Sequence, residues 1–193
     1  INEVYGKEPT VIFPPIVFNN YFSAPKKEYY LIVSRLVSYK RIDIAVEACK
    51  KLGKNLIVVG DGPELMNLRA ISNESIKLIG NVEDSCLRLL YAEAKGLIFP
   101  GCEDFGIVPI EAQASGCPVI AFRGGGALET IIDGKTGLFF DNQTVDSLSE
   151  VILKFEDLDF NSTVIRENAK QFDVTSFMRR INRIIKLYLT EKC

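Results

Sequence analysis

Short apolar runs alternate with longer amphipathic segments along most of the chain from residue 29 onwards. The runs are rich in Val, Ile and Leu, as expected for strands that are buried on both faces. The segments between them repeat their apolar residues with a helical period. The predicted strands are 29–35, 55–60, 76–80, 97–100, 118–122 and 136–140, and the predicted helices are 41–53, 63–72, 85–96, 107–116, 127–134 and 145–158.

This order of elements predicts an α/β protein with a Rossmann-like, doubly wound parallel sheet of about six strands. Parallel strands need crossover connections, and crossover helices cover both faces of the sheet. Ligands of such sheets bind beyond the carboxyl ends of the strands. Functional residues are therefore expected in the loops that follow the strands.

The two ends of the chain depart from this pattern. Residues 1–28 include the Pro-containing stretch 11–28 and are predicted to be an extended lead-in or interdomain segment. Residues 29–193 are the predicted domain, which closes with a basic amphipathic helix in 172–193. Packing of that helix on its own or a neighbouring domain is favoured over contact with a membrane surface. Because the chain begins with Ile1, it is expected to be part of a longer protein.

Composition narrows the range of functions. The 193 residues are 47% apolar and 25% charged with a net charge of −2, which argues against binding nucleic acid through a basic surface. The sequence contains no histidine, which excludes His-based zinc sites and Ser-His or Cys-His catalysis. The five cysteines form no Cys-x-x-Cys pair and favour small buried side chains in a reducing compartment. No apolar run reaches the roughly 18 residues of a membrane span, and no signal peptide is evident.

Charged residues follow the first and third predicted strands. Arg35 ends the first strand and Lys40 lies near the start of the next helix, where orphan amides and partial positive charge suit a phosphate. The alternative, a surface Arg and a solvated Lys, is favoured when the two residues are taken alone. After the third strand, Asp84 or Ser85 could cap the next helix, or the backbone near Val82 could pair with the edge of a nucleobase.

The stretch GCEDFGIVPIEAQ places two acids, Glu103 and Glu111, on either side of a turn after the fourth strand. Gly106 lets backbone approach a ligand closely, and the next helix is expected to begin near Ile107. A carboxylate is a poor neighbour for a phosphate but a strong acceptor for sugar hydroxyls, at roughly 1.5–3 kcal/mol for each hydrogen bond to a charged group. An acid on the ribose is also familiar in nucleotide-binding sheets. The two cations and the turn amides are therefore expected to hold phosphates, and the two acids to bind sugars.

Three further motifs carry weaker signals. Gly60-x-Gly62 lacks the third glycine of a dinucleotide fingerprint and follows the second strand, so a tight turn is favoured over a dehydrogenase site. Glycines 124–126 would either touch a phosphate or sugar or make a sharp turn. The Asp157-x-Asp159 string is typical of some metal sites, but here it follows a helix, which disfavours a metal.

Four stretches, SRLVSYKRID, VVGDGPE, EDFGIVPIEAQASGCPVIAFRGGGALETI and DGKTGLFF, occur in this order between residues 29 and 180. Together they resemble the C-terminal half of family 4 glycosyltransferases, which have the two-Rossmann-domain GT-B architecture. The resemblance implies that 29–193 is a nucleotide-sugar-binding domain. It gives catalytic roles to Arg35 and Lys40 on the nucleotide diphosphate, and to Glu103 on hydroxyls of the transferred sugar.

The same resemblance implies the remaining donor contacts. Phe105, Gly106 and Ile107 would line the sugar phosphate through backbone groups, and Glu111 would bind the ribose. The Val82–Asp84 stretch would contact the base, where Asp84 could accept hydrogen bonds from guanine. The family's retaining chemistry implies neither a cofactor nor a metal, because cations and amides stabilise the leaving diphosphate.

YKRID and FFDNQTVDSL look most like bacterial mannosyltransferases of surface polysaccharide and lipopolysaccharide assembly. GDP-mannose is thus the expected donor, with a saccharide or lipid-linked acceptor. A UDP-sugar donor and a non-catalytic nucleotide-sugar or partner-binding module are the alternatives. Because the family's N-terminal Rossmann domain is missing here, the fragment is expected to bind donor with little or no turnover. The implied location is the cytoplasm, with peripheral contact at the inner face of the membrane left open.

Overall fold

The computed structural model describes residue 6 and residues 9–190, and its centre is one sheet of six strands. Every neighbouring pair of strands is parallel, and the order across the sheet is β3-β2-β1-β4-β5-β6. The strands are β1 (Lys27–Val33), β2 (Leu56–Val59), β3 (Ile76–Gly80), β4 (Ala94–Phe99), β5 (Val119–Phe122) and β6 (Gly137–Phe140).

A helix follows each strand, and two more helices come after the one that follows β6. They are α1 (Ile42–Lys51), α2 (Leu65–Ile71), α3 (Asp84–Glu93), α4 (Ile107–Ala114), α5 (Ala127–Thr130), α6 (Val145–Glu156), α7 (Ser162–Lys170) and α8 (Val174–Thr190). The predicted fold class, a doubly wound parallel sheet of six strands, is confirmed. The strand order reverses between β1 and β4, so the loops after these two strands flank a crevice at the carboxyl edge of the sheet.

The sheet is covered on both faces because its strands alternate large apolar residues toward two cores. In β1, Tyr30 and Ile32 pack in a core that includes residues of α1 and α6, while Tyr29 and Leu31 pack in a second core with residues of α3 and α4. Each fully buried large apolar side chain contributes about 1.5–3 kcal/mol. This two-sided burial holds the strands, and with them the loops at their carboxyl ends, in one packed sheet.

Two element boundaries differ from the sequence prediction. The helix expected over 85–96 ends at Glu93, and β4 begins at Ala94, because 94–97 pair with β1. Gly96 belongs to the strand, and a Cβ there would lie 2.7 Å from the ring of Phe155. The helix expected over 127–134 is limited to Ala127–Thr130, since Ile131 is already extended.

The described part of the lead-in, 9–26, packs on the domain. Ile16 donates its backbone N–H to the carbonyl of Phe172 at 3.0 Å and accepts from the N–H of Val174 at 3.0 Å. Ile16 also belongs to a third buried cluster with residues of α4 and α7. The lead-in and the start of α8 are therefore joined to each other and to α4.

The predicted C-terminal helix is present as α8, while 191–193 lie outside the described residues. Apolar side chains along α8 stay partly exposed, including Met178 at 49% and Ile185 at 50%. Within the described part of the chain, no helix combines the length and the apolar character needed to cross a membrane.

A cluster of charged residues around Glu156 lies at the opposite, amino edge of the sheet. The carboxylate of Glu156 accepts hydrogen bonds from Tyr30 Oη at 2.5 Å and Lys95 Nζ at 2.7 Å, and it pairs with Lys54 Nζ at 3.1 Å. Burial alone would raise the pKa of Glu156, but these three donors outweigh burial and lower the pKa to about 2. The cluster ties the end of α6 to β1 and β4, away from the candidate site.

Candidate functional site

The loop after β1 brings the first predicted cations to the carboxyl edge. Arg35 is exposed just past the strand, and Lys40 ends a 3-10 turn, Ser38–Lys40. Arg41 takes the left-handed conformation, φ 53°, immediately before α1 begins. This reversal turns the chain so that the Lys40 side chain is held in the protein with only 13% of it exposed.

Lys40 and Glu103 form a direct ion pair between the loops after β1 and β4. The Glu103 side chain is 26% exposed, so the pair is partly shielded from water. Gly101 makes the close approach of the two loops feasible, since a Cβ there would lie 3.1 Å from Cα of Lys40. A cation and an acid that were assigned to different parts of a ligand are thus neighbours across the crevice.

The turn that follows Glu103 aims the start of α4 at the crevice. Gly106 adopts φ +80°, and a Cβ there would come within 2.9 Å of the ring of Phe99. Ile107 is the first residue of α4 and is 40% exposed. The expected start of the helix near Ile107 is confirmed, and its first amides are orphan donors suited to an anion.

The glycine loop 124–126 supports this turn from the neighbouring strand. The N–H of Gly126 donates to the carbonyl of Glu103 at 2.8 Å. A Cβ at Gly125 would lie 2.1 Å from the carbonyl oxygen of Glu103, and a Cβ at Gly126 would lie 2.2 Å from Cα of Phe105. The structure therefore explains glycines 124–126 as a tight turn, because only glycine lets this loop approach the backbone of Glu103 and Phe105 so closely.

A cleft of about 460 Å³ opens at the ends of β1, β2 and β3. Two predicted site residues, Arg35 and Val82, line it together with Val33, Ser34, Val59, Gly60, Asp61, Asn81, Leu87 and Val108. Gly60 adopts φ +129°, and a Cβ there would collide with the carbonyl oxygen of Ser34 at 1.9 Å. The Gly-x-Gly motif thus forms a close turn beside the cleft, as predicted.

Asp84 lies outside the lining of this cleft. It is the first residue of α3, its side chain is 88% exposed, and it pairs with Arg88 at 3.5 Å. The interpretation of Asp84 or Ser85 as an N-cap is wrong, because Glu83 occupies that position and makes no side-chain cap. Asp84 could still meet a base that extends beyond the cleft, and that role stays a prediction.

Glu111 lies one turn inside α4 and is held by two tyrosines that the sequence analysis missed. Tyr21 of the lead-in donates its hydroxyl to Oε1 at 2.7 Å, and Tyr91 of α3 donates to Oε2 at 3.0 Å. Burial and the neighbouring carboxylate raise the pKa of both tyrosines above its ordinary value. Tyr91 follows Leu87 by four residues in α3, and this spacing is the only sequence signal that sets it on the cleft side.

Arg123, which precedes the glycine loop, has its guanidinium engaged by two acids. It donates to Asp133 at 3.0 Å and to Asp141 at 2.6 Å, and these two hydrogen bonds raise the pKa of Arg123.

The Asp157-x-Asp159 string lies away from the candidate site. Asp157 is at the end of α6 and Asp159 follows it, lining a different pocket at the amino edge of the sheet. Among residue 6 and residues 9–190, no group of three or more His, Cys, Asp or Glu side chains is placed to hold a metal ion.

The structure therefore brings most of the predicted site residues to one edge of the sheet. Lys40 contacts Glu103, residues 105–107 form the next turn, and Glu111 follows one helical turn later. Arg35 and Val82 line the cleft at the ends of β1, β2 and β3, and the other predicted site residues are not part of its lining. Cations, helix amides and acids side by side can bind a ligand that carries both phosphate and hydroxyl groups, and such sites define a class of nucleotide-binding α/β domains.

The chain belongs to the glycosyl transferases group 1 family, whose sequence profile matches residues 16–172. It has the Rossmann-like fold of a GT-B glycosyltransferase domain of the C-terminal type. An uncharacterized glycosyltransferase of Methanocaldococcus jannaschii is 32% identical over 147 residues, which cover 74% of this chain and 42% of the relative.

Two further proteins show the same relationship. A GDP-mannose-dependent alpha-(1-6)-phosphatidylinositol monomannoside mannosyltransferase of Mycobacterium tuberculosis is 34% identical over 138 residues, or 62% of this chain and 36% of the relative. The structure of Anabaena HepE in complex with UDP-glucose aligns with a TM-score of 0.79 at 22% identity, over 92% of this chain and 57% of that one. This chain thus spans less than half the length of these two curated relatives.

Proposed function

We propose that this chain is the donor-binding domain of a retaining glycosyltransferase that uses GDP-mannose. The observation that carries the proposal is the contact between Lys40 and Glu103 beside the turn that starts α4. It joins a cation suited to a diphosphate with an acid suited to sugar hydroxyls, and helix amides lie next to both. Several GDP-mannose-dependent mannosyltransferases among the relatives, at 33–34% identity, support the choice of donor.

In the proposed reaction, the bond between the sugar C1 and the diphosphate oxygen breaks as C1 bonds to an acceptor hydroxyl on the same face. The proton of that hydroxyl passes to the leaving diphosphate. Arg35 and Lys40 would stabilise the negative charge that develops on the diphosphate, and Glu103 would hold hydroxyls of the transferred sugar. The amides at Gly106 and Ile107 would add donors to the same phosphate.

The nucleoside would occupy the cleft lined by Arg35 and Val82, with its ribose toward Glu111. The volume of this cleft, about 460 Å³, suits a nucleoside. Asp84, which lies outside the lining of the cleft, would accept hydrogen bonds from a guanine that extends beyond it. No cofactor or metal is part of the proposal.

Binding of nucleotides to the 193-residue chain tests the proposal directly. Calorimetry with GDP, GDP-mannose, UDP and UDP-glucose should rank the guanine compounds first. At 100 times its dissociation constant, a bound nucleotide should stabilise the fold by about 2.7 kcal/mol. Arg35→Gln should weaken binding, whereas Arg69→Gln, an exposed arginine on α2, should not. If none of the four nucleotides binds, the donor-domain function is refuted.

A UDP-sugar donor is the second candidate, supported by the structural similarity to HepE, which was determined with UDP-glucose. Tighter binding of UDP than of GDP would select it. A module that binds nucleotide sugars without transfer is the third. It predicts that this chain joined to an N-terminal Rossmann domain binds the donor but never glycosylates a saccharide or lipid-linked acceptor.

The partners and location complete the proposal. The acceptor would sit between this domain and an N-terminal Rossmann domain, so that the 193-residue chain alone turns over little or no donor. Assembly of surface polysaccharide or lipopolysaccharide would place the enzyme in the cytoplasm, with peripheral contact at the inner membrane face. Fractionation of cells that produce this chain together with an N-terminal Rossmann domain tests this location.

A further inference from the structure

Both carboxylate oxygens of Glu111 accept a hydrogen bond from a tyrosine hydroxyl, at 2.7 Å from Tyr21 and 3.0 Å from Tyr91. An ionised carboxylate has about four lone-pair sites on its two oxygens. Two sites are therefore engaged by the tyrosines, and two remain for hydroxyls of a ligand. The tyrosines fix the direction in which the free sites point.

Glu111 and Tyr91 each lie one helical turn beyond a residue that lines the cleft. Val108 of α4 and Leu87 of α3 line the cleft. Glu111 follows Val108 by three residues and Tyr91 follows Leu87 by four, so each lies one helical turn further from the sheet edge on the same face. Tyr91 is completely buried, which leaves its hydroxyl no alternative partner in water.

Tyr21 reaches the same acid from outside the sheet. Arg166 of α7 donates to the carbonyl of Tyr21 at 3.4 Å and also to the carbonyl of Ala114 at the end of α4, and its guanidinium lies 4.9 Å from the centre of the Phe18 ring. Arg166 thus holds the lead-in at Phe18 and Tyr21 against the end of α4. The lead-in therefore contributes a fixed side chain to the surroundings of Glu111.

We propose that Tyr21 and Tyr91 are positioning residues that fix the carboxylate of Glu111 for the ribose hydroxyls of the bound nucleotide. The inference rests on the proposed function and adds a specificity determinant to it. A long acidic side chain loses rotamer freedom when it binds a ligand, and a side chain that is already ordered avoids that cost. Removal of either hydroxyl should therefore weaken recognition of the ribose while contacts to the base and phosphates persist.

The test compares ribose with a ribose analogue that lacks both hydroxyls. Calorimetry on the 193-residue chain gives the dissociation constants of GDP and 2′,3′-dideoxy-GDP, and the same for the UDP pair. The wild type should prefer the ribose form. Tyr91→Phe and Tyr21→Phe should each lower that preference about fivefold to tenfold, with little change for the dideoxy compounds.

Tyr29→Phe is the matched control, because Tyr29 is also largely buried and donates its hydroxyl to the carbonyl of Leu90 at 2.9 Å in the same helix as Tyr91. It should lower stability and leave the ribose preference unchanged. In a Glu111→Ala background, the Phe substitutions should no longer change the preference, since the tyrosines act through the acid.

The outcomes separate the inference from the function. If the wild type prefers ribose and both Phe variants keep that preference, the positioning role is refuted and the proposed function stands. If the wild type binds no nucleotide, the proposed function fails and the inference fails with it. Should Tyr91→Phe fail to fold, Tyr21→Phe decides, because Tyr21 is only partly buried.

Discussion

Substitution of Gly126 by alanine should disrupt the candidate site by displacing the backbone of Phe105, and not by removing a side chain that is proposed to bind ligand. Gly126 has φ −66° and ψ −13°, a backbone conformation that alanine adopts readily. Space alone forbids a side chain, because the new Cβ would lie 2.2 Å from Cα and 2.4 Å from the carbonyl oxygen of Phe105. The expected effect is therefore displacement of the turn that follows Glu103.

The magnitude follows from these distances. Ordinary contact begins at 3.4 Å, so the turn must move by about 1.2 Å relative to the glycine loop. Overpacking of this kind costs about 1–3 kcal/mol of unfolding free energy. A misplacement of about 1 Å in a binding or catalytic group can cost about 100-fold in function. Gly126→Ala should thus lower both the stability of the fold and its affinity for the donor nucleotide.

Urea denaturation and calorimetry with GDP measure the two effects. Gly134→Ala is the control, because its φ of +72° is unfavourable for alanine, yet nothing lies within 4 Å of the added Cβ. That variant should lose about 1–2 kcal/mol of stability through backbone strain and keep its affinity. Wild-type affinity and stability in Gly126→Ala would refute the argument that close approach to Phe105 explains the glycine.

Two further predictions concern ionisable groups away from the site. The folded pKa of Glu156 lies below the ordinary 4.5, so its contribution to stability is present above pH 4.5 and is lost as pH falls toward about 2. Glu156→Gln should cost about 1–2 kcal/mol at pH 7 after solvent screening, and a narrowing gap to wild type in urea denaturation at low pH would confirm it, whereas a constant gap would contradict it. Among the described cysteines, mass spectrometry after brief alkylation should find the two exposed thiols modified and the two buried ones protected. The exposed pair is Cys86 and Cys102, and the buried pair is Cys49 and Cys117. Burial raises the pKa of the Cys49 thiol to about 12 and that of the Cys117 thiol to about 11, so neither should react quickly. Rapid modification of either buried thiol in the folded state would contradict the structure.

Sequence periodicity predicted the strands well because most of them have a buried apolar run at their centre, and even the edge strand β3, where Lys77 and Ile79 are exposed, keeps apolar residues at three of its five positions. It failed at Ala94–Gly96, where a helical pattern continues into residues that the structure pairs with β1. Pairing with a strand more than 60 positions earlier has no local signal, so propensity alone extends the helix. The short helix α7 was not predicted, although Asn161 caps it by accepting from the N–H groups of Thr163 and Val164.

The site was predictable to the extent that it depends on the ends of parallel strands. The topology brings those ends to one edge, so residues such as Lys40 and Glu103 could be assigned to one site from their positions in the chain alone. The partners of Glu111 could not, because Tyr21 precedes the sheet and reaches the acid only after the lead-in has packed on α4 and α7.

The amino-acid order by itself determined the α/β class, the six strands and the loops that carry charge, since these follow from local periodicity and from the direction of parallel strands. Tertiary structure alone decided which groups touch: the Lys40–Glu103 pair, the glycine loop against Phe105, and the tyrosines on Glu111. Such contacts depend on packing between segments distant in the chain, where a shift of about one ångström changes a hydrogen bond into a clash, and sequence patterns carry no information at that resolution.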